Sequence, residues 1–291
     1  MNITFEPGLA TTRKLRALRT GPEGAGFLMN RVADDLVDRL LAVDRTFENA
    51  VLVHCLTDAA SEAVIRSGKA ARIERIESHG LLLGEDAGRI ADGETIPLEP
   101  ESIDLAISLL TLHETNDTPG MIIQMRRALK PDGLFIGAMA GAGTLAELRE
   151  SLLEAEAELS GGASPRVYPL PDIRDAGALL QRAGLALPVT DVETYTVRYA
   201  TMFDLMGDLR AMGATSALAG RSRKPTTREL FRRAAEIYAE KFSDPDGRIR
   251  ATFSILWMSG WAPHASQQVP LKPGSAKSSL AEALKAAEDD R

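Results

Sequence analysis

Residues 103–139 read IDLAISLLTLHETNDTPGMIIQMRRALKPDGLFIGAM, and the reading of this stretch decides the fold. Ile103, Leu105, Ile107 and Leu109 alternate with Asp104, Ala106 and Ser108. That two-residue period is the mark of a strand, and the small second face suits close packing against a helix. Asp117 and Thr118 are capping candidates for a following helix, and Pro119 suits its first position, where a missing N–H costs nothing. Met121, Ile122, Met125, Ala128 and Leu129 recur at helical spacing and make its buried stripe. Lys130-Pro131-Asp132-Gly133 is expected to end it, because proline cannot continue a helix and glycine tolerates the turn. Leu134 to Met139 is then the next strand, and strand–helix–strand units of this length predict a parallel, doubly wound sheet.

Working outward, Ala50 to Cys55 reads as a short buried strand, 58–67 as a helix stopping at Gly68, and Ala71 to Glu77 as a second strand weakened by Glu74 and Arg75. A loop rich in Gly, Asp and Glu fills 84–102, and a helix precedes the first strand within 24–45. On the other side, Thr144 to Leu159 is a helix with Thr144 and Glu147 spaced as a capping box. A Gly/Pro loop at 161–171 leads to a helix at 172–183. Two alternating strands, Val189 to Tyr199 and 251–258, are separated by helical stretches at 201–212 and 226–242. Late strands joined in this way predict an antiparallel edge hairpin on the parallel sheet, with a helical insertion at about 200–245. The expected organisation is an N-terminal helical region (1–45), one α/β domain with a Rossmann-like doubly wound sheet (46–269), and a flexible tail (270–291).

The bulk composition narrows the function classes. Hydrophobic residues make up 44% of the 291 and charged residues 26%, the profile of an ordinary globular chain. A formal charge of −7 argues against attraction to nucleic acid or an anionic bilayer. Cys55 is the only cysteine, so no internal disulfide or cysteine-rich metal centre can form, and His54, His79 and His264 lack ligand spacing; no metal site is predicted. No apolar run reaches the roughly 20 residues of a membrane span. Arg13, Lys14, Arg16 and Arg19 form a basic stretch, but Glu6 and Glu23 flank it, so a solvated helix or loop is expected rather than a presequence. These features place the protein in the cytoplasm. A second basic run (Arg221, Arg223, Lys224, Arg228, Arg232, Arg233) suggests a solvated helix face, with docking of an acidic protein as the alternative.

The stretches Asp104–Ser108, Leu112-His113, Asn116-Asp117 and Arg127–Met139 together resemble those of the methyltransferase-like assembly factors of respiratory complex I and their alphaproteobacterial relatives. These are related in turn to the malonyl carrier-protein methyltransferases of biotin synthesis. The similarity continues through Thr144–Arg149, Ser164–Arg166, Tyr199, Met202–Leu209 with Met212-Gly213, and Gly260-Trp261 with His264, Ser266 and Gln267. It spans nearly the whole chain, and the Met202–Gly213 and Trp261–Gln267 segments are its most specific markers. The resemblance implies a class I methyltransferase sheet with S-adenosylmethionine at the carboxyl ends of its strands, where doubly wound sheets bind ligands on general grounds.

Placed on the family's acid-then-Gly-x-Gly-x-Gly pattern, this chain has Val53 at the acid and Cys55, Thr57 and Ala59 at the glycines. A valine cannot accept a hydrogen bond from the cofactor's ammonium, and three added Cβ atoms are expected to crowd the turn. Cys55 and Thr57 stay candidates for cofactor contact by position, as does Leu109 at the end of the fourth strand. Glu77, ending the second strand, is the candidate for the ribose hydroxyls or else an ordinary solvated acid. Asp92, in Ala91-Asp92 ahead of Pro97-Leu98, resembles the residue that contacts the adenine amino group, and could equally be solvated. His113, just past the fourth strand, is the catalytic candidate as general base or donor, or a packed histidine at a strand end. Glu114 stands where the family has an aromatic residue, while Asn116 and Asp117 read as helix caps.

Two functions of different class follow. One is an S-adenosylmethionine-dependent methyltransferase-like protein, acting on a small molecule or a protein, with a degenerate cofactor loop. The other is an assembly factor binding a respiratory-complex subunit, either non-catalytic or carrying the arginine hydroxylation that the resemblance implies. A nicotinamide dehydrogenase is disfavoured, since it would need the same missing glycines.

Overall fold

In a computed structural model, which describes residues 3–268 except 23, 163 and 224, the apolar runs become seven strands. They are β1 (Phe47–Val53), β2 (Ala70–Glu77), β3 (Gly88–Ile90), β4 (Ile103–Leu109), β5 (Leu129–Ala140), β6 (Ala186–Tyr199) and β7 (Ile249–Trp261). Their order in the sheet is β3-β2-β1-β4-β5-β7-β6. β1 to β5 are parallel, and β7 runs antiparallel to both β5 and β6. The expected edge hairpin is therefore present, and the helical insertion lies between its strands.

The helices are α1 (Pro7–Thr20), α2 (Phe27–Leu41), α3 (Ala59–Ser67), α4 (Gly80–Leu83), α5 (Thr118–Ala128), α6 (Ala146–Ser160), α7 (Ile173–Arg182), α8 (Met202–Ala211) and α9 (Arg228–Phe242). Strand alternation divides the core between the two faces of the sheet. Leu52, Leu105, Ile107 and Ile136 pack against Val32, Leu36 and Leu40 of α2 and Ala60, Ala63 and Val64 of α3. Val51, Val53, Ala106 and Phe135 face Met121, Ile122 and Met125 of α5 and Ala176 and Leu180 of α7. A further cluster joins α6, α8 and α9 over one end of β6 and β7, through Leu152, Leu205, Ile237, Tyr238 and Phe253.

Four expectations change. The basic stretch at Arg13–Arg19 is helical, as α1, but Arg13 and Lys14 are half-buried rather than solvated. Lys130–Gly133 does not separate α5 from β5; it forms a bulge inside β5, where the β4 register slips between Ile103 and Leu105 and Asp132 adopts φ 64°. Gly133 is required there, because a Cβ would meet the Lys130 carbonyl at 2.9 Å and that of Asp104 at 3.1 Å. Thr144 and Glu147 do not form a capping box: the Thr144 hydroxyl donates to the Ser254 carbonyl at 2.9 Å, and Glu147 accepts from Thr252, so both bind β7. Finally, the loop at 84–102 contains the short edge strand β3. The tail at 270–291 lies outside the described residues.

Candidate functional site

The carboxyl ends of β1, β4 and β5 form the floor of a cavity of about 760 Å³. Leu56, Thr57, Leu110, His113 and Ala140 line that floor; α1, the start of α2, α8, the segment 211–216 and Arg221, Ser222, Pro225 and Thr226 close over it. Its apolar walls include Leu148, Leu152, Met206, Phe231 and Phe253. The strand ends cannot satisfy their own backbone groups, so this is where a doubly wound sheet offers ligand contacts.

The β1 loop makes its turn without glycine. His54 (φ 52°) and Leu56 (φ 64°) take the left-handed conformation, as does Leu110 (φ 58°) after β4. Each such residue stores on the order of 1–2 kcal/mol of strain, a cost that clusters at functional sites. Cys55 and Ala59 do not crowd the turn as expected; both side chains pack into the core beneath it. Cys55 is fully buried, and burial pushes its thiol up to about 12, so it is an inert core residue rather than a cofactor contact. Leu109 likewise belongs to the core and does not line the cavity, whereas Thr57 does.

Glu77 is buried and already engaged. Its Oε1 accepts from the Arg75 guanidinium at 2.9 Å and from the Leu56 N–H at 2.9 Å, while its Oε2 has no partner. Arg75, two residues back on the same face of β2, is 2% exposed and also donates to Asp86 and to the carbonyls of Leu82 and Leu83. Burial pushes the Glu77 carboxyl up, and Arg75 opposes it. Asp92 is exposed, does not line the cavity, and accepts from the Gly93 N–H at 2.7 Å, closing its own loop.

His113 does reach the cavity. Its Nδ1 accepts from the Ala140 N–H at 3.4 Å, and Nε2 lies 4.0 Å from Glu114. Burial holds its pKa below the ordinary value and favours the neutral imidazole, and with Nδ1 accepting, the ring hydrogen sits on Nε2 as a donor. Burial raises the Glu114 carboxyl, but Lys14, at 2.5 Å, and His113 more than offset this and leave it below its usual range. Of the expected caps, Asp117 accepts from the Gly120 N–H at 2.8 Å. Asn116 instead holds the chain start, its Oδ1 accepting the N–H groups of Thr4 and Phe5. The second basic run is largely spent in ion pairs: Arg221 and Arg223 with Glu6, Arg232 with Glu236, Arg233 with Glu158. Lys224 is outside the described residues.

Sequence reasoning missed Arg13, Lys14, Arg75 and Tyr168. Arg75 carried a signal, since a base two residues before an acid on a strand shares its face. The others reach the cavity only because α1 and the 165–170 loop fold across the sheet. Among the described residues no group of three or more His, Cys, Asp or Glu could hold a metal ion. None of their helices is long and apolar enough to cross a membrane.

Strand order and cavity position together define the class I methyltransferase fold. A methyltransferase-domain family model matches residues 24–137. A protein of Bacillus halodurans, held to be a methyltransferase, aligns with a TM-score of 0.55 at 14% identity, covering 79% of this chain and 99% of its own. The chain is 37% identical to the mitochondrial arginine hydroxylase NDUFAF5 of Danio rerio, over 89% of this chain and 82% of that protein. It is 29% identical to the malonyl-[acyl-carrier protein] O-methyltransferase of Halorhodospira halophila, over 80% and 81%. The chain belongs to the NDUFAF5 family, and its domain and fold are those of S-adenosylmethionine-dependent methyltransferases.

At the positions that the resemblance aligns with the usual cofactor cradle, the side chains differ from the family pattern. Val53 is buried and offers no acceptor, the turn has no glycine, and the Glu77 carboxylate is sealed and held by Arg75.

Proposed function

We propose that this methyltransferase-fold chain serves the assembly of a respiratory complex by acting on one of its protein subunits, and that its S-adenosylmethionine site is degenerate. The observation that carries the reading is the extent of the likeness to NDUFAF5. It covers 89% of this chain, well beyond the residues 24–137 that match the methyltransferase-domain model. His113 is the candidate catalytic group of that cavity. A nucleic-acid partner is not part of this reading, because the chain is acidic and the cations of the basic run are mostly paired. We place the protein in the cytoplasm, in keeping with a single buried thiol, and cell fractionation tests that.

Calorimetric titration of the full chain with S-adenosylhomocysteine tests the degenerate site. The expected result is no saturable heat up to about 1 mM ligand. A micromolar dissociation constant would return the chain to the ordinary methyltransferases. Affinity capture under mild conditions is expected to recover a respiratory-complex subunit, and recovery of none counts against the assembly role. One observation favours the second reading, an active S-adenosylmethionine-dependent enzyme: Glu77 Oε2 has no partner and lies beneath a loop whose Leu56 and Thr57 line the cavity.

A further inference from the structure

Of the three buried polar atoms on residues lining the cavity that have no hydrogen-bond partner, Glu114 Oε2 is ion-paired with Lys14, which leaves the pair Arg13 Nη1 and Ser216 Oγ. An unmade hydrogen bond at a buried group costs on the order of 1–3 kcal/mol, and more for a charged one, so the pair calls for a ligand. The segments that carry them are in contact. The Tyr168 hydroxyl accepts from the Ala217 N–H at 2.9 Å and donates to the Thr215 carbonyl at 3.3 Å, which fixes Ser216 between them. Tyr168 also lies within electrostatic reach of Arg13. A Cβ on Gly213 would meet the Lys14 backbone at 3.0 Å, so α1 and the 213–217 segment are in close contact.

The charges around this corner are one-sided. Arg13, Lys14, Arg166, Arg210 and Arg221 line the cavity, against Glu114 alone. Lys14 is neutralised by Glu114, Arg166 by Glu156 and Arg221 by Glu6, whereas Arg13 and the exposed Arg210 have no ion pair among the described residues. We propose that this corner is a subsite for a carboxylate, held by the Arg13 guanidinium and the Ser216 hydroxyl, whose apolar body lies along Leu148, Leu152, Met206 and Phe231. One guanidinium with a buried, unpartnered nitrogen, beside one hydroxyl, matches a singly charged oxyanion better than a phosphate, which needs more donors and more charge. A guanidinium ligand finds the reverse here. Both buried carboxylates near the floor are already ion-paired, Glu77 with Arg75 and Glu114 with Lys14, which disfavours an arginine of the kind named for the relatives at this corner.

Phenylbutyrate, phenylbutanol and phenylbutylamine share one apolar body and differ in head group, and calorimetric titration of each into the full chain tests the subsite. Phenylbutyrate is expected to bind at least about 10-fold more tightly than the alcohol, with the amine weakest. Arg13→Met should remove that preference while leaving the alcohol's affinity unchanged, and Ser216→Ala should reduce acid binding about 3-fold. Arg13→Lys, which keeps the charge but loses the fork, should retain part of the preference even if the methionine variant fails to fold. Equal affinity for acid and alcohol, an acid preference that survives Arg13→Met, or no acid binding at about 10 mM would each overturn the proposal.

Discussion

Arg75 and Glu77 form the most deeply buried ion pair at the site, and the pair matters more as a unit than either member does alone. Removing one partner leaves an uncompensated charge in the core, which costs about 3–5 kcal/mol, whereas replacing both with apolar residues of similar volume is far less harmful. Arg75→Met is accordingly expected to lower the urea-unfolding free energy by that amount, and Arg75→Met with Glu77→Leu to recover more than half of it. Strict additivity of the two single losses in the double variant would refute the coupling. His54 makes a second prediction at this scale. Burial, with Lys14 adding to it, depresses its pKa from 6.5 to about 4. The unfolded chain therefore takes up a proton below pH 6.5 that the folded chain refuses, and stability falls as the pH falls toward 4. One residue contributes roughly 2 kcal/mol of that loss between pH 7 and pH 5. His54→Asn, which tolerates the left-handed backbone, should flatten the pH dependence of unfolding; an unchanged slope would show that His54 titrates normally. At this scale the sequence exposed which residues stood at the family's positions, but not their partners. The engagement of Glu77 by the Leu56 N–H needed the two strand ends brought side by side.

Among the elements, existence and type were legible wherever an apolar period ran for two turns or more, as in α2, α5, α7 and α9. Short or competing signals misled. Thr144 and Glu147 have the spacing of a capping box, yet β7 offers Ser254 and Thr252 as partners, and the helix starts at Ala146 with no side-chain cap. Thr201 is the opposite case: its hydroxyl accepts from the Asp204 N–H at 3.2 Å, and Asp204 returns the bond to the Thr201 N–H at 2.9 Å, a complete box on the helix that roofs the cavity. Thr201→Ala should cost about 1 kcal/mol and speed amide exchange in the first turn of α8, while Thr144→Ala leaves the first turn of α6 unaffected. Equal exchange in both first turns would argue that neither side chain caps.

In the whole molecule, α1 is a strap held by a few polar ties rather than by the main core. Phe5 pairs with Leu218, Glu6 bonds Arg221 at 2.7 Å, and Asn116 accepts from Thr4 and Phe5. Ala17 is its one buried residue, so few apolar contacts oppose its local opening. Amide exchange in α1 should therefore be much faster than in β1, β4 and β5, and Glu6→Gln should quicken it further without shifting the global unfolding midpoint. Protection of α1 equal to that of the central strands would show that it is part of the core.

The sequence by itself determined the parallel sheet, its antiparallel edge hairpin and the helical insertion, because strand and helix periods are local properties of which residues must be buried. It also determined that the β1 turn would be made without glycine. Only the tertiary structure decided how that turn closes, through His54 and Leu56 over a core-packed Cys55. It alone decided that Glu77 is held by Arg75, and that Arg13 and Ser216, 203 positions apart by the difference of their numbers, line one cavity. Period and propensity act over a few residues, whereas ion pairing and cavity lining depend on which segments the fold makes neighbours.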